Sequence, residues 1–280
     1  MQASPSPWPT GQRPFGEHLK AWRQHRRWSQ LDLAARAEVS ARHLSFVETG
    51  RAAPSREMVM RLSQCLQVPL RERNQWLTAA GYAPLYRELA LDGEELASAR
   101  KAMQRLMKGH EPYPAMALDR HWNIVAGNAA VPIVLGANTL PPGTPPNVIR
   151  GSHHPAGLGS RLVNRRQLRA IHDERLCQQI DASGDPALVA LLAELRGYPE
   201  PDEAPTVAPV ATEHAGVAVP FQVQSPKGVL SFLTATTIFG SVSDITLSEL
   251  SMEIFMPADD FTAEAVPLLF QAARQERASG

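Results

Sequence analysis

The stretch from Ser29 to Ser55 constrains the fold more than any other. Ser29 is a good N-cap for a helix over 30–37, because its hydroxyl can accept an orphan backbone N–H of the first turn. Within that helix Leu31 and Ala34 fall three apart, so a small residue lies where another helix can approach closely. Glu38-Val39 breaks the run. Ser40 then caps a segment over 41–49 with Leu44 and Val47 as its buried stripe, and Gly50 ends it as a residue suited to positive φ. Pro54-Ser55 opens a further helix with Met58, Val59, Leu62 and Leu66 inward. Upstream, 15–26 places Leu19 and Trp22 on one face; downstream, Pro69 suits the first turn of 70–80, which Gly81 closes. The spacing predicts an all-α domain of five helices.

Two short helices joined by a three- or four-residue turn, followed by two more, match the helix-turn-helix DNA-reading unit. Charge agrees. The chain of 280 residues is formally neutral, yet residues 1–90 carry thirteen Lys and Arg against seven Asp and Glu, a net +6, and the remainder carries −6. A basic module on an acidic partner is the asymmetry of a nucleic-acid binder with a separate regulatory part. The exposed face of the 41–49 helix carries Ala41, Arg42, His43 and Ser45; Arg42 can fork onto guanine, and His43 or Ser45 can take a base edge or phosphate. Phe46 is expected to pack against Val39 and Trp28. Gln30 sits at a helix N-terminus, where phosphates bind readily, and Arg26, Arg27, Arg36 and Arg51 are candidate phosphate neutralisers. One such unit reads few base pairs, so a homodimer on a two-fold operator is expected.

The run SQLDLAARAEVSARHLSFVETGRAAPS, 29 to 55, resembles the Xre/Cro/lambda-repressor type, with Glu38 where that family usually has Gly. A non-Gly residue in a left-handed turn costs roughly 1 kcal/mol. Further motifs narrow the resemblance: Arg42-His43-Leu44-Ser45-Phe46-Val47-Glu48, Val68-Pro69-Leu70-Arg71, Ala79-Ala80-Gly81-Tyr82, His110-Glu111-Pro112-Tyr113-Pro114, Asp119-Arg120-His121-Trp122-Asn123, His154-Pro155-x-Gly157-Leu158 and Phe255-Met256-Pro257-Ala258-Asp259. Together they are similar to the MmyB-like regulators, bacterial transcription factors with a C-terminal ligand-binding domain of PAS-like fold. The resemblance implies a fatty-acid-like ligand and organises the chain as a disordered tail over 1–11, a DNA-binding domain over 12–84 and a ligand-binding domain over 92–272.

The second half, read from its own residues, is α+β. Asp92 is positioned to cap a helix to Lys108; 115–118 and 123–126 read as short strands; 128–132 as a short helical piece broken by Pro132; 136–148 as a Pro-rich loop; 162–180 and 186–196 as helices; and 198–216 as a loop or lid. Val217, Val219, Phe221 and Val223 alternate like a half-buried strand. Pro226-Lys227-Gly228 makes a hairpin turn into a β-branched strand over 229–239. Residues 245–255 read as a third strand, ambiguous at Leu247–Leu250, and 262–276 as a kinked or short helix around Pro267. A PAS-like antiparallel sheet covered by helices encloses a small apolar pocket. For its wall the expected residues are Trp122, Phe221 and Phe232. For a carboxylate head group they are Arg120, His154, Arg161 and Asn164. Asn128 is a further candidate, although Asn commonly caps or closes turns.

Other chemistry finds no footing in the sequence. There is no nucleophile elbow, zincin motif, Walker A or dinucleotide fingerprint, so no catalytic residue is assigned. His153-His154 is the best metal candidate, but neighbours in sequence diverge in direction, and no metal or cofactor is expected. Cys65 and Cys177 cannot build a disulfide framework, which fits a reducing cytoplasm. No signal peptide and no apolar run of membrane-spanning length is visible. Two other readings of the second half stay open: a dimerisation or protein-docking unit without ligand, and a small-molecule enzyme with the helical head as a targeting module.

Overall fold

The computed structural model describes residues 14–136, 144–199, 219–240 and 243–279. The tail over 1–11, most of the Pro-rich loop, the 198–216 loop beyond Pro199 and Val217 lie outside them. The described residues form two compact units. One holds those of 1–89, 178–186 and 241–248; the other holds those of 90–177, 187–240 and 249–280.

The first unit contains α1 (Phe15–His25), α2 (Gln30–Arg36), α3 (Ala41–Glu48), α4 (Arg56–Cys65) and α5 (Leu70–Ala79). These are the five helices expected. Each serine performs as a cap: Ser29 accepts from Asp32 N–H while the Asp32 carboxylate accepts from Ser29 N–H, Ser40 accepts from His43 N–H, and Ser55 from Met58 N–H. Leu19, Leu33, Leu44, Val47, Val59, Leu62, Leu66 and Leu77 converge on Trp76, whose ring meets Phe15 edge-on at 5.5 Å. Gly16 is what lets α1 reach α3. A Cβ there would stand 2.4 Å from the Glu48 carbonyl oxygen, an overlap that only glycine avoids. Asn74 pins the chain after α5, donating to Tyr86 O and accepting from the N–H groups of Leu85 and Tyr86.

The second unit is a five-stranded antiparallel sheet with helices, the α+β class expected. Its strands are β1 (Ala115–Leu118), β2 (Ile124–Gly127), β3 (Phe221–Ser225), β4 (Gly228–Ile238) and β5 (Ser251–Pro257), in the order β2-β1-β5-β4-β3. The first and last strands of the unit thus pair, with Met116 opposite Glu253, and β4 flanks β5 on the other side, with Thr236 opposite Glu253. Helices α6 (Ala97–Gly109), α7 (Val148–His153), α8 (Arg165–Ser183) up to Cys177, α9 (Pro186–Gly197) from Ala187 and α11 (Asp260–Ser279) accompany the strands; the end of α8 and α10 (Ile245–Ser248) belong with the first unit.

Several expectations are corrected. The helix expected after Asp92 starts as a 3-10 turn at Glu94–Leu96 and is α-helical only from Ala97. Residues 245–255 are not one strand, because a helical turn, α10, precedes β5. Asp244 Oδ1 accepts from Leu247 N–H and starts that turn. β3 is buried on both faces rather than alternating, since Leu162 bridges to Val223 and Val163 N–H donates to Gln222 O along its outer edge. α11 runs through Pro267 for 20 residues instead of stopping short. Asp259 caps its start, accepting from Thr262 N–H at 2.7 Å.

Candidate functional site

The reading face of the first unit is α3. Leu44, Val47 and Glu48 turn inward, which leaves Arg42 exposed and Ala41, His43, Ser45 and Phe46 half-buried along the outer side. Phe46 does not join the core with Val39 and Trp28; the Arg42 guanidinium lies over its ring, 5.5 Å from the centroid. The aromatic ring therefore holds the cation at the surface. Behind the face, Arg23 donates twice to the buried Glu48 carboxylate, at 2.6 and 3.0 Å, and once to Trp28 O. Gln30 donates to the same carboxylate at 2.7 Å. This network joins α1, α2 and α3 rigidly. It was not visible in the sequence, where Glu48 stood only as one letter of a motif.

The candidate phosphate contacts divide. Arg27 and Arg51 are exposed. Arg36 stacks on Trp28 at 4.5 Å. Arg26 donates its Nε–H to Leu66 O and covers Trp22 at 5.9 Å, so that side chain is partly committed to joining α1 with the end of α4.

The second unit encloses a cavity of about 760 Å³. The sheet contributes Met116, Ile124, Phe221, Leu233, Thr234, Glu253 and Phe255; α8 contributes Leu168, Ile171, His172 and Arg175. Val131, Pro132 and Leu135 come from a π-helical turn, Gly151 and Ser152 from α7, and Gly157 from the chain just beyond α7. The α8 residues recur at i, i+3, i+4, i+7, one helical face. Gly157 is a close approach: a Cβ there would meet Gly151 O at 2.3 Å.

Of the eight residues expected at the pocket, two line it. Phe221 is a wall, edge-on to Phe255 at 5.4 Å. Asn128 reaches the wall with its amide already spent, donating to Met107 O and Tyr113 O and accepting from Ala115 N–H. The other six do not line it. Phe232 is fully buried one ring deeper, against Phe255. Trp122, at φ 67°, backs His172 at 5.8 Å. Arg120 pairs with Glu249 at 3.8 Å. His154 accepts from Ala156 N–H and packs on Tyr198. Arg161 spends its guanidinium on the carbonyls of Gln224, Leu135 and Val134, tying the π-helical turn to β3. Asn164 donates to Pro220 O and accepts from Gln222 N–H, fastening α8 to β3.

The polar wall comes from residues that sequence reasoning missed. Glu253 on β5 is 6% exposed and faces Arg175 at 3.7 Å. Burial pushes its carboxyl upward and Arg175 opposes the shift. His172 and His153 share a hydrogen bond of 2.7 Å. Burial holds His172 down at about 4, with Arg175 adding repulsion; His153 is held at about 3, by burial first and then by His172 and two arginines. Both rings are therefore neutral near pH 7. A charged residue in the middle of the apolar strand Ser251–Pro257 was the available signal. Among the described residues no three His, Cys, Asp or Glu side chains gather as a metal set, and no helix is long and apolar enough to cross a membrane.

Comparison with known families agrees with this division. Residues 99–269 match the MmyB-like transcription regulator ligand binding domain. Residues 19–73 match a helix-turn-helix model. No curated protein matches the chain. The DNA-reading head and the cavity-bearing unit together make this a DNA-binding transcription regulator with a ligand-binding domain, and with more than half of its length matched by the ligand-binding model, the chain belongs to the MmyB-like transcription regulators.

Proposed function

We propose that the protein is a homodimer whose α3 helices enter successive major grooves of an operator, and that a small, chiefly apolar ligand of fatty-acyl type in the second unit sets the affinity for DNA. The cavity carries this reading: its volume of about 760 Å³ falls within the ~300–1,000 Å³ of small-molecule sites, and most of its wall is aliphatic or aromatic. Arg42 reads a base edge, with Ala41, His43 and Ser45 beside it, while Arg27, Arg51 and the N-terminal turn of α2 hold phosphates. The ligand acts by fitting one arrangement of the dimer better than the other. The cavity is a binding site rather than a catalytic one, and no metal or cofactor is required.

Native mass spectrometry of the purified protein, followed by denaturing extraction, tests the reading. The expected result is a dimer carrying a discrete lipid-sized mass, whose removal changes operator affinity. A dimer that takes up no acyl-chain compound, and whose DNA binding ignores all of them, would turn the second unit into a dimerisation or docking module.

A further inference from the structure

Two polar atoms on the cavity wall take no partner from the protein. Ser152 on α7 is 4% exposed and His172 on α8 is 8% exposed, and both line the cavity. Among the described residues Ser152 Oγ and His172 Nε2 make no hydrogen bond, and neither atom is sealed within the packing, so each opens onto the space its residue lines. A buried hydroxyl or ring nitrogen without a partner carries a desolvation cost, which a ligand atom can offset.

The histidine pair fixes the polarity of one of them. His153 Nδ1 is buried without a partner, and His153 Nε2 lies 2.7 Å from His172 Nδ1. An orphaned buried lone pair is better tolerated than an orphaned N–H. His153 therefore carries its proton on Nε2 and donates it to His172 Nδ1. That leaves the proton of His172 on Nε2, the nitrogen open to the cavity. Ser152 adjoins His153 along α7 and His172 adjoins it through the hydrogen bond, so the two unpartnered atoms belong to one corner of the wall.

A carbonyl oxygen suits that corner. It has two lone pairs and no proton to place, so it can accept from His172 Nε2–H and from the Ser152 hydroxyl. Both donors are uncharged near neutral pH, and they can offset the desolvation of a carbonyl, which costs far less than that of an ion. Resting on the reading of the cavity as a ligand site, we propose that Ser152 and His172 select an apolar chain bearing a ketone, ester or amide carbonyl, whose oxygen accepts from both side chains.

Binding to the full chain of methyl octyl ketone and of its alkene isostere, in which a methylene replaces the oxygen, tests this. Ser152→Ala should weaken the ketone by about three- to tenfold and leave the alkene within about twofold. Proton–nitrogen NMR of histidine-labelled protein at neutral pH should show His172 protonated on Nε2, with that proton shifted downfield by the ketone and not by the alkene. A ketone-to-alkene affinity ratio that Ser152→Ala leaves unchanged, or a His172 Nε2 that carries no proton or ignores the ketone, would overturn the proposal while leaving the cavity a ligand site. Failure of both compounds to bind would overturn the ligand reading itself and this inference with it.

Discussion

Arg23 and Glu48 show what burial demands of charge. Glu48 is 8% exposed and Arg23 9%, and the carboxylate accepts from Arg23 twice and Gln30 once. Removing one partner strands the other in a poorly solvating interior, so Arg23→Ala should cost about 3 kcal/mol or more in urea unfolding. Replacing both by methionine should recover most of it. The histidine pair makes a second prediction. Native values near 4 for His172 and near 3 for His153 lie below the ordinary 6.5. The unfolded chain thus binds more protons below pH 6.5, and stability present above that pH is lost as it falls towards 4, by about 1.4 kcal/mol per pH unit for each ring. Glu253, shifted upward by burial, slopes the other way. The readout is therefore comparative: His172→Asn, which keeps an acceptor for His153, should lose less stability than the parent between pH 6.5 and 5.

At the scale of elements, the turn from α2 to α3 carries a cost that its sequence announces. Glu38 sits at φ 53°, in the left-handed region that disfavours side chains. Glu38→Gly should relieve the strain and raise unfolding stability by up to about 1 kcal/mol, less what the freer unfolded chain takes back. Thermal unfolding at fixed pH measures it. Helix α3 carries the DNA prediction. Arg42→Ala should relax base preference at one operator position by about 1–3 kcal/mol, whereas Arg51→Ala should weaken specific and random DNA alike and reduce the salt slope. Equal losses on both DNAs for both variants would refute that separation. The helices of the first unit were legible because caps and stripes are local. β5 was read too long because Ile245 and Leu247 suit either element, and the preceding Asp244, whose carboxylate accepts from Leu247 N–H, starts a helical turn there.

For the whole molecule, ligand and operator are linked thermodynamically. If an acyl ligand changes operator affinity by some factor, saturating operator must change ligand affinity by the same factor. Calorimetry of ligand binding with and without DNA checks this, and unequal factors would mean that a third state is populated. Saturation at about 100 times the dissociation constant should also stabilise the protein by about 2.7 kcal/mol. By itself, the sequence determined the class of each half: five capped helices with a basic balance, then an α+β unit with an apolar strand set. Caps, stripes and turns act over three or four residues, and such spacings can be read along a chain. Only the tertiary structure decided the cavity's polar end. Ser152, His172, Arg175 and Glu253 come from three elements far apart in sequence, and strand order brings β5 between β1 and β4 opposite α8. The same packing set Arg120 against Glu249 and withdrew His154, Arg161 and Asn164, whose hydrogen-bonding capacity was taken up by nearby carbonyls and amides before any ligand could use it.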